Sequence, residues 1–104
     1  MQLGFDLLKI EGFEWDTGNL GHIQKHNINY RECEETFFNK QLVINEDQSH
    51  SQREERFRVY GKTNGGRLLF IIITIRNNKI RIISCRDQNK RERKEFQKTG
   101  GEYL

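Results

Sequence analysis

The chain is predicted to fold as an α+β domain in which two N-terminal helices lead into an antiparallel β-sheet meander of about four strands, and one C-terminal helix closes it. Three observations predict this. Two helix-capping signals lie between residues 16 and 32. Runs of β-branched and aromatic residues with period 2 extend from 56 to 86, broken by Asn and Gly turn pairs. A strongly polar stretch after Asp87 contains helix formers and no strand pattern. With 104 residues the chain can bury one modest core, so residues 1–104 are read as a single domain. Its composition is polar, at 34% hydrophobic and 32% charged, yet seven Phe, three Tyr and one Trp provide the bulk that a core needs.

Residues 9–15 alternate weakly and read as a short first strand or an extended arm, with Phe13 and Trp15 to one side and Glu14 to the other. Asp16 or Thr17 offers the N-cap of a helix expected to run through His26, with Leu20 and Ile23 as its narrow apolar stripe. Asn27 suits the left-handed residue that ends a helix, and Ile28 can fold back onto Ile23. Asn29 and Glu32 have capping-box spacing, with Ile28 and Cys33 as the flanking staple, so a second helix of about three turns is expected through Phe38.

Residues 41–45 form a short candidate strand, followed by a polar loop over 46–52. In residues 56–61, Arg56, Arg58 and Tyr60 alternate with Phe57 and Val59, which gives one basic and one apolar face. Asn64-Gly65-Gly66 turns the chain into residues 67–76, an aliphatic run expected to be the central strand, buried on both faces. Asn77-Asn78 leads into residues 79–86, where strict alternation groups Lys79, Arg81, Ile83 and Cys85 against Ile80, Ile82, Ser84 and Arg86. Asp87 is the expected cap of a helix over 88–98 that Gly100-Gly101 closes, with Phe96 as its one large apolar residue.

Charge is divided unevenly. Residues 1–52 hold four Lys/Arg against nine Asp/Glu, whereas residues 53–104 hold fourteen against six, and nine of those fourteen are arginine. The planar arginine fork matches phosphate geometry, so an anionic polymer is a natural partner; the plainer reading makes these arginines the solvated exterior of strands. No segment approaches the roughly 18 apolar residues of a membrane span, and the N-terminus lacks the pattern of a signal peptide. A cytoplasmic protein that does not contact a membrane is expected. Cys33 and Cys85, far apart and without a C-x-x-C pattern, read as buried free thiols. His22 and His26 lie four apart on one helix face, but no third ligand stands at a defined spacing, so neither a metal nor another cofactor is expected.

Several segments together carry a resemblance: Phe13-Glu14-Trp15-Asp16, Asn19 followed by Lys25-His26, Glu55-Arg56-Phe57, Gly65-Gly66-Arg67-Leu68-Leu69, residues 81–86 (RIISCR), and Glu92-Arg93. In order and spacing, from about residue 13 to 96, the chain resembles the BrnT toxins of bacterial type II toxin–antitoxin systems. The resemblance implies a RelE-like fold, RNA cleavage that arrests translation, and neutralisation by a BrnA-type antitoxin. Operator DNA would then be reached only through that antitoxin. The chain departs from the family pattern at three places: Asn27 replaces a Gly, Cys85 replaces an Ala, and Phe96 stands where a Tyr is usual and where RelE-type enzymes often use a Tyr for proton transfer.

Metal-free RNA cleavage needs a base for the 2′-hydroxyl proton, cations for the charge developing on phosphorus, and an acid for the leaving 5′-oxygen. Under the resemblance, His26 is the expected proton-transfer group, or else a structural helix-end residue, and Lys25 beside it binds phosphate or is simply solvated. Arg56, Arg81 and Arg86 are the expected clamps on the scissile phosphate, with Arg58, Arg67 and Arg76 as further RNA contacts. Regular alternation places Arg81 and Arg86 on opposite faces unless a bulge or the strand end re-aims Arg86. Glu55 reads as a base or as an ion-pair partner of Arg56, and Phe13 and Trp15 as core residues or base-stacking platforms. The alternative function is a catalytically degenerate member that binds RNA or antitoxin without cutting. A DNA-binding helix–turn–helix is disfavoured by Glu32, Glu34 and Glu35 on the second helix.

Overall fold

Local capping chemistry shapes the N-terminal part of the computed structural model, which describes residues 6–47 and 54–101. A 3-10 turn at Leu7–Lys9 precedes strand β1, Gly12–Glu14, and Asp16 then starts helix α1, Thr17–Gln24. The Asp16 carboxylate accepts from the backbone N–H of Asn19 at 3.0 Å, and the Asn19 side-chain oxygen accepts in return from the N–H of Asp16 at 2.7 Å. Regular helix stops at Gln24, two residues short of the expected His26. Asn27 adopts φ 60°, its N–H donates to the Gln24 carbonyl, and the Ile28 N–H reaches back to the Ile23 carbonyl at 3.2 Å.

Asn29 and Glu32 then cap helix α2, Tyr30–Thr36, reciprocally, as their spacing predicts. The helix ends before Phe38 because the Thr36 hydroxyl donates to the Cys33 carbonyl and the next residues turn toward the sheet. This turn packs Phe37 and Phe38 around Phe13, with ring centroids 5.5 and 6.3 Å away.

The remaining strands are β2, Leu42–Glu46, β3, Phe57–Lys62, β4, Leu68–Arg76, and β5, Lys79–Asp87. Residues 48–52 of the expected polar loop lie outside the described residues. Asn77 and Asn78, at φ 52° and 61°, make the tight β4–β5 turn. The sheet order is β1-β5-β4-β3-β2, so the sheet has five strands and is mixed: β1 runs parallel to β5 and the other pairs are antiparallel. This corrects the expectation of about four antiparallel strands. The three-residue arm becomes a strand only by pairing with a partner more than 60 residues away, a contact to which local periodicity is blind.

Helix α3, Lys90–Gly101, is capped by Asn89 and not by Asp87. The Glu92 N–H donates to Asn89 Oδ1 and the Asn89 N–H to Glu92 Oε1, while Asp87 ends β5 with its carboxylate on Arg67. The helix also runs through Gly100-Gly101, which were expected to close it.

One face of the sheet is the core. Leu69, Ile71 and Ile73 of β4 lie between Phe57 and Val59 of β3 and Ile80, Ile82 and Cys85 of β5, and Ile23, Ile28 and Cys33 cover them from the helix side. The opposite row of β4, Phe70 and Ile72, stays half-buried, so the central strand is not sealed on both faces as expected; Thr74 in that row is buried and donates to the Glu55 carbonyl. Both cysteines are free and buried, and the hydrogen bond to Cys33, with burial, pushes the Cys85 thiol up.

One irregularity decides the surface of that opposite face. Ile72 pairs with Ser84, but Ile73 pairs with Ile82, which leaves Ile83 as an extra residue on β5. The bulge resets the alternation. Arg81, opposite Thr74, and Arg86, opposite Phe70, therefore point to the same face, while Cys85 joins Ile82 in the core. Asn19, 4% exposed, braces the kink by donating its amide to the carbonyls of Ile82 and Glu14.

Candidate active site

The open face of the sheet gathers cations because register, bulge and strand phase all place them there. Arg58 faces Ile72 from β3, Arg81 and Arg86 project from β5, and Arg76 and Lys79 end the β4–β5 ladder. At the β1 side, a cleft of about 280 Å³ is lined by Arg56, Arg81 and Glu54 together with Gly18, Asn19 and His22 of α1. Helix α1 reaches this cleft because β1 covers only residues 79–81 of β5, and α1 packs along the strand beyond them.

Arg81 is held by two carboxylates, Glu14 Oε1 at 2.9 Å from Nη1 and Asp16 Oδ2 at 2.8 Å from Nη2. The Asn19 backbone N–H and Arg81 hold Asp16 below its ordinary carboxylate value. Arg76 reaches Glu54 at 3.3 Å and Glu14 at 3.9 Å, which extends the network along the same edge. Each of these guanidinium groups thus already has carboxylate partners, the geometry that the arginine fork also offers to phosphate.

Arg86 stands at the far end of the face. Its guanidinium lies 4.3 Å above the Phe70 ring and forks onto Glu92 of α3 at 2.7 and 3.0 Å. Burial works against the charged Glu92 carboxylate, yet hydrogen bonds from Arg86 and the Asn89 backbone carry it below its ordinary value. Helix α3 covers this end through Phe96, 4% exposed, and leaves a hollow of about 410 Å³ that Arg58 and Tyr60 also line. Phe96 thus lies among the residues of the α3 hollow and not among those of the Arg56–Arg81 cleft, so it serves as the anchor of α3.

The sequence-selected residues therefore separate into groups. Arg56 and Arg81 line one cleft, Arg58 and Arg86 flank the α3 end, and Arg76 stands at the β1 edge. Arg67 is on the other side of the sheet. All five of its N–H donors are engaged: two on Asp87, one on Glu32, and one each on the carbonyls of His26 and Asn27. Lys25 and His26 are exposed at the end of α1, where the His26 carbonyl receives Arg67. It is His22, one helical turn earlier and 6.2 Å from the His26 ring, that lines the cleft with Arg56 and Arg81. Spacing could have found it, since His22 and His26 share a helix face. Glu54, not the exposed Glu55, lines the cleft, in phase with Arg56 and Arg58. Trp15 donates to Glu34 and packs edge-on to Tyr30, and Phe13 packs with Phe37 against the core while the exposed Phe38 ring meets Phe13 edge-on.

Among the described residues, no group of three or more His, Cys, Asp or Glu is placed to hold a metal ion, and no helix is long and apolar enough to cross a membrane. A family model described as ribonuclease toxin, BrnT, of type II toxin-antitoxin system matches residues 15–92, about three quarters of the chain. None of the curated proteins compared with the chain matches it.

Proposed function

We propose a cleavage mechanism from one premise: this chain belongs to the BrnT family, the ribonuclease toxins of type II toxin–antitoxin systems. It is thus a ribonuclease toxin with an antitoxin as partner. In our reading the scissile phosphodiester lies in the cleft where Arg56, Arg81 and His22 meet, and that convergence on one face is the observation that carries the proposal.

The substrate phosphate displaces Glu14 and Asp16 from part of the Arg81 fork, and Arg56 and Arg81 stabilise the charge that grows on the phosphoryl oxygens. Glu54 accepts the proton of the RNA 2′-hydroxyl as the 2′-oxygen bonds to phosphorus. His22 donates a proton to the 5′-oxygen as its bond to phosphorus breaks. The products are a 2′,3′-cyclic phosphate and a 5′-hydroxyl, with no metal required. Lys25 and His26, exposed at the end of α1, serve as further RNA contacts, Arg58, Arg76 and Arg86 guide the strand, and Arg67 supports the fold. The sheet with α3 across one face is consistent with a RelE-like arrangement. The cellular reading follows from the family: cytoplasmic RNA cleavage that arrests translation, a BrnA-type antitoxin as partner, and operator DNA bound through that antitoxin alone.

The test incubates the purified protein with RNA in the presence of a chelator and identifies the new ends. Cyclic phosphate termini are expected. His22→Gln should lose about 10²- to 10⁴-fold in kcat, whereas His26→Gln should lose far less in kcat and act on KM. The reverse ranking overturns the assignment of His22, and bound but intact RNA at high protein identifies a degenerate member.

A further inference from the structure

We propose that the hollow beneath α3 is a nucleobase subsite that stacks one base of the RNA strand on Tyr60, an inference that rests on the ribonuclease reading. The floor of the hollow consists of two cross-strand pairs of the open face, Val43 opposite Tyr60 and Asn45 opposite Arg58, and α3 supplies the wall through Glu95 and Phe96. Its volume of about 410 Å³ lies in the range of small-ligand sites. The lining is partly apolar, through Val43, Tyr60 and Phe96, so a base can stack on the half-buried Tyr60 ring, and the Asn45 amide offers both a donor and an acceptor to the base edge.

The floor is also backed by ring contacts. Tyr60 and Phe70 are paired across β3 and β4 with ring centroids 5.2 Å apart, and the Arg86 guanidinium caps Phe70 at 4.3 Å. Stacking of a base on Tyr60 extends an array already in place, and the Tyr60 and Arg58 side chains together meet a base and its phosphate. Burial raises the Tyr60 hydroxyl above its ordinary value, so the phenol stays neutral beside RNA. Arg56, just before β3, and Tyr60 within it are four residues or about 13 Å apart at strand spacing. This separation places the subsite within a short strand's reach of the scissile phosphate, so the bound base belongs to a neighbouring nucleotide and not to the one being cut.

The measurement is binding of a fluorescein-labelled 2′-O-methyl hexanucleotide, which lacks the 2′-hydroxyl nucleophile and stays intact, to the full chain by anisotropy. Tyr60→Leu should weaken binding by about 5- to 100-fold and Tyr60→Phe by less than about twofold. An abasic residue walked along the hexanucleotide should reproduce that loss at one position with the wild-type protein, and at that position add nothing further to Tyr60→Leu. A flat abasic scan overturns the proposal even if Tyr60→Leu fails to fold. So does unchanged binding by Tyr60→Leu, or a mononucleotide that binds as tightly as the hexanucleotide. Parallel assays on cleavable RNA separate the two readings: wild-type cleavage with a flat scan removes only the subsite, whereas wild-type protein that neither cleaves nor binds RNA removes both.

Discussion

Arg67 on the helix side of the sheet and Arg81 on its open side are each held by two carboxylates, yet the two arginines do different work. Arg67 also donates to the carbonyls of His26 and Asn27, so every N–H it has is matched by a protein acceptor and the α1–α2 turn is tied to the end of β5. Arg81 forms ion pairs through two nitrogens with side-chain carboxylates alone, in a cleft that a histidine shares. Main-chain carbonyls cannot move aside for a phosphate, whereas side-chain carboxylates can. An arginine's role is therefore set by what it must release, and not by how many partners it has.

Substitution at these two sites is the sharpest way to break the contrast. Arg81→Ala should lower kcat/KM for RNA cleavage by about 10²- to 10³-fold with little change in unfolding temperature. Cleavage at the wild-type rate would show that the open-face network is only structural. Arg67→Ala should do the opposite: it should lose about 2–3 kcal/mol of stability in denaturant unfolding, with normal cleavage per folded molecule.

A smaller effect is expected where α2 meets the sheet. A Cβ on Gly61 would come within 2.8 Å of Thr36 Cβ and 3.4 Å of Leu42 Cδ1. Gly61→Ala should therefore destabilise by about 1–3 kcal/mol through crowding, readable in the same unfolding titration.

The smallest expected effect is the pH dependence of the Arg67 cluster. The Arg67 fork holds Asp87 below its ordinary carboxylate value, so its contribution is present above the unfolded carboxylate pKa and is lost as pH falls through the folded one. The stability gap between wild type and Arg67→Ala should accordingly narrow on acidification below about pH 4. A gap that stayed constant to pH 2 would remove Asp87 from the account.

Much of the molecule was legible in its sequence where short-range chemistry governs. The Asn29–Glu32 capping box, an N-cap at Asp16 or Thr17, the left-handed Asn27, the Asn77-Asn78 turn and the basic face of β3 follow from neighbours within a few residues, and their physical causes operate over that range. The family motifs and the crowding of arginine into residues 53–104 likewise pointed to RNA before any contact was known.

Tertiary structure alone decided which side chains meet. One extra residue at Ile83, braced by Asn19 from a distant helix, turned Arg81 and Arg86 to a common face, and α1 packing beside β5 brought His22, not His26, to the cleft of Arg56 and Arg81. Parallel pairing made β1 a strand, and a fully bonded guanidinium took Arg67 out of the cationic surface. Such outcomes depend on atoms that are far apart in sequence and adjacent only once the core has formed, so composition, spacing and period could name the candidates but not choose among them.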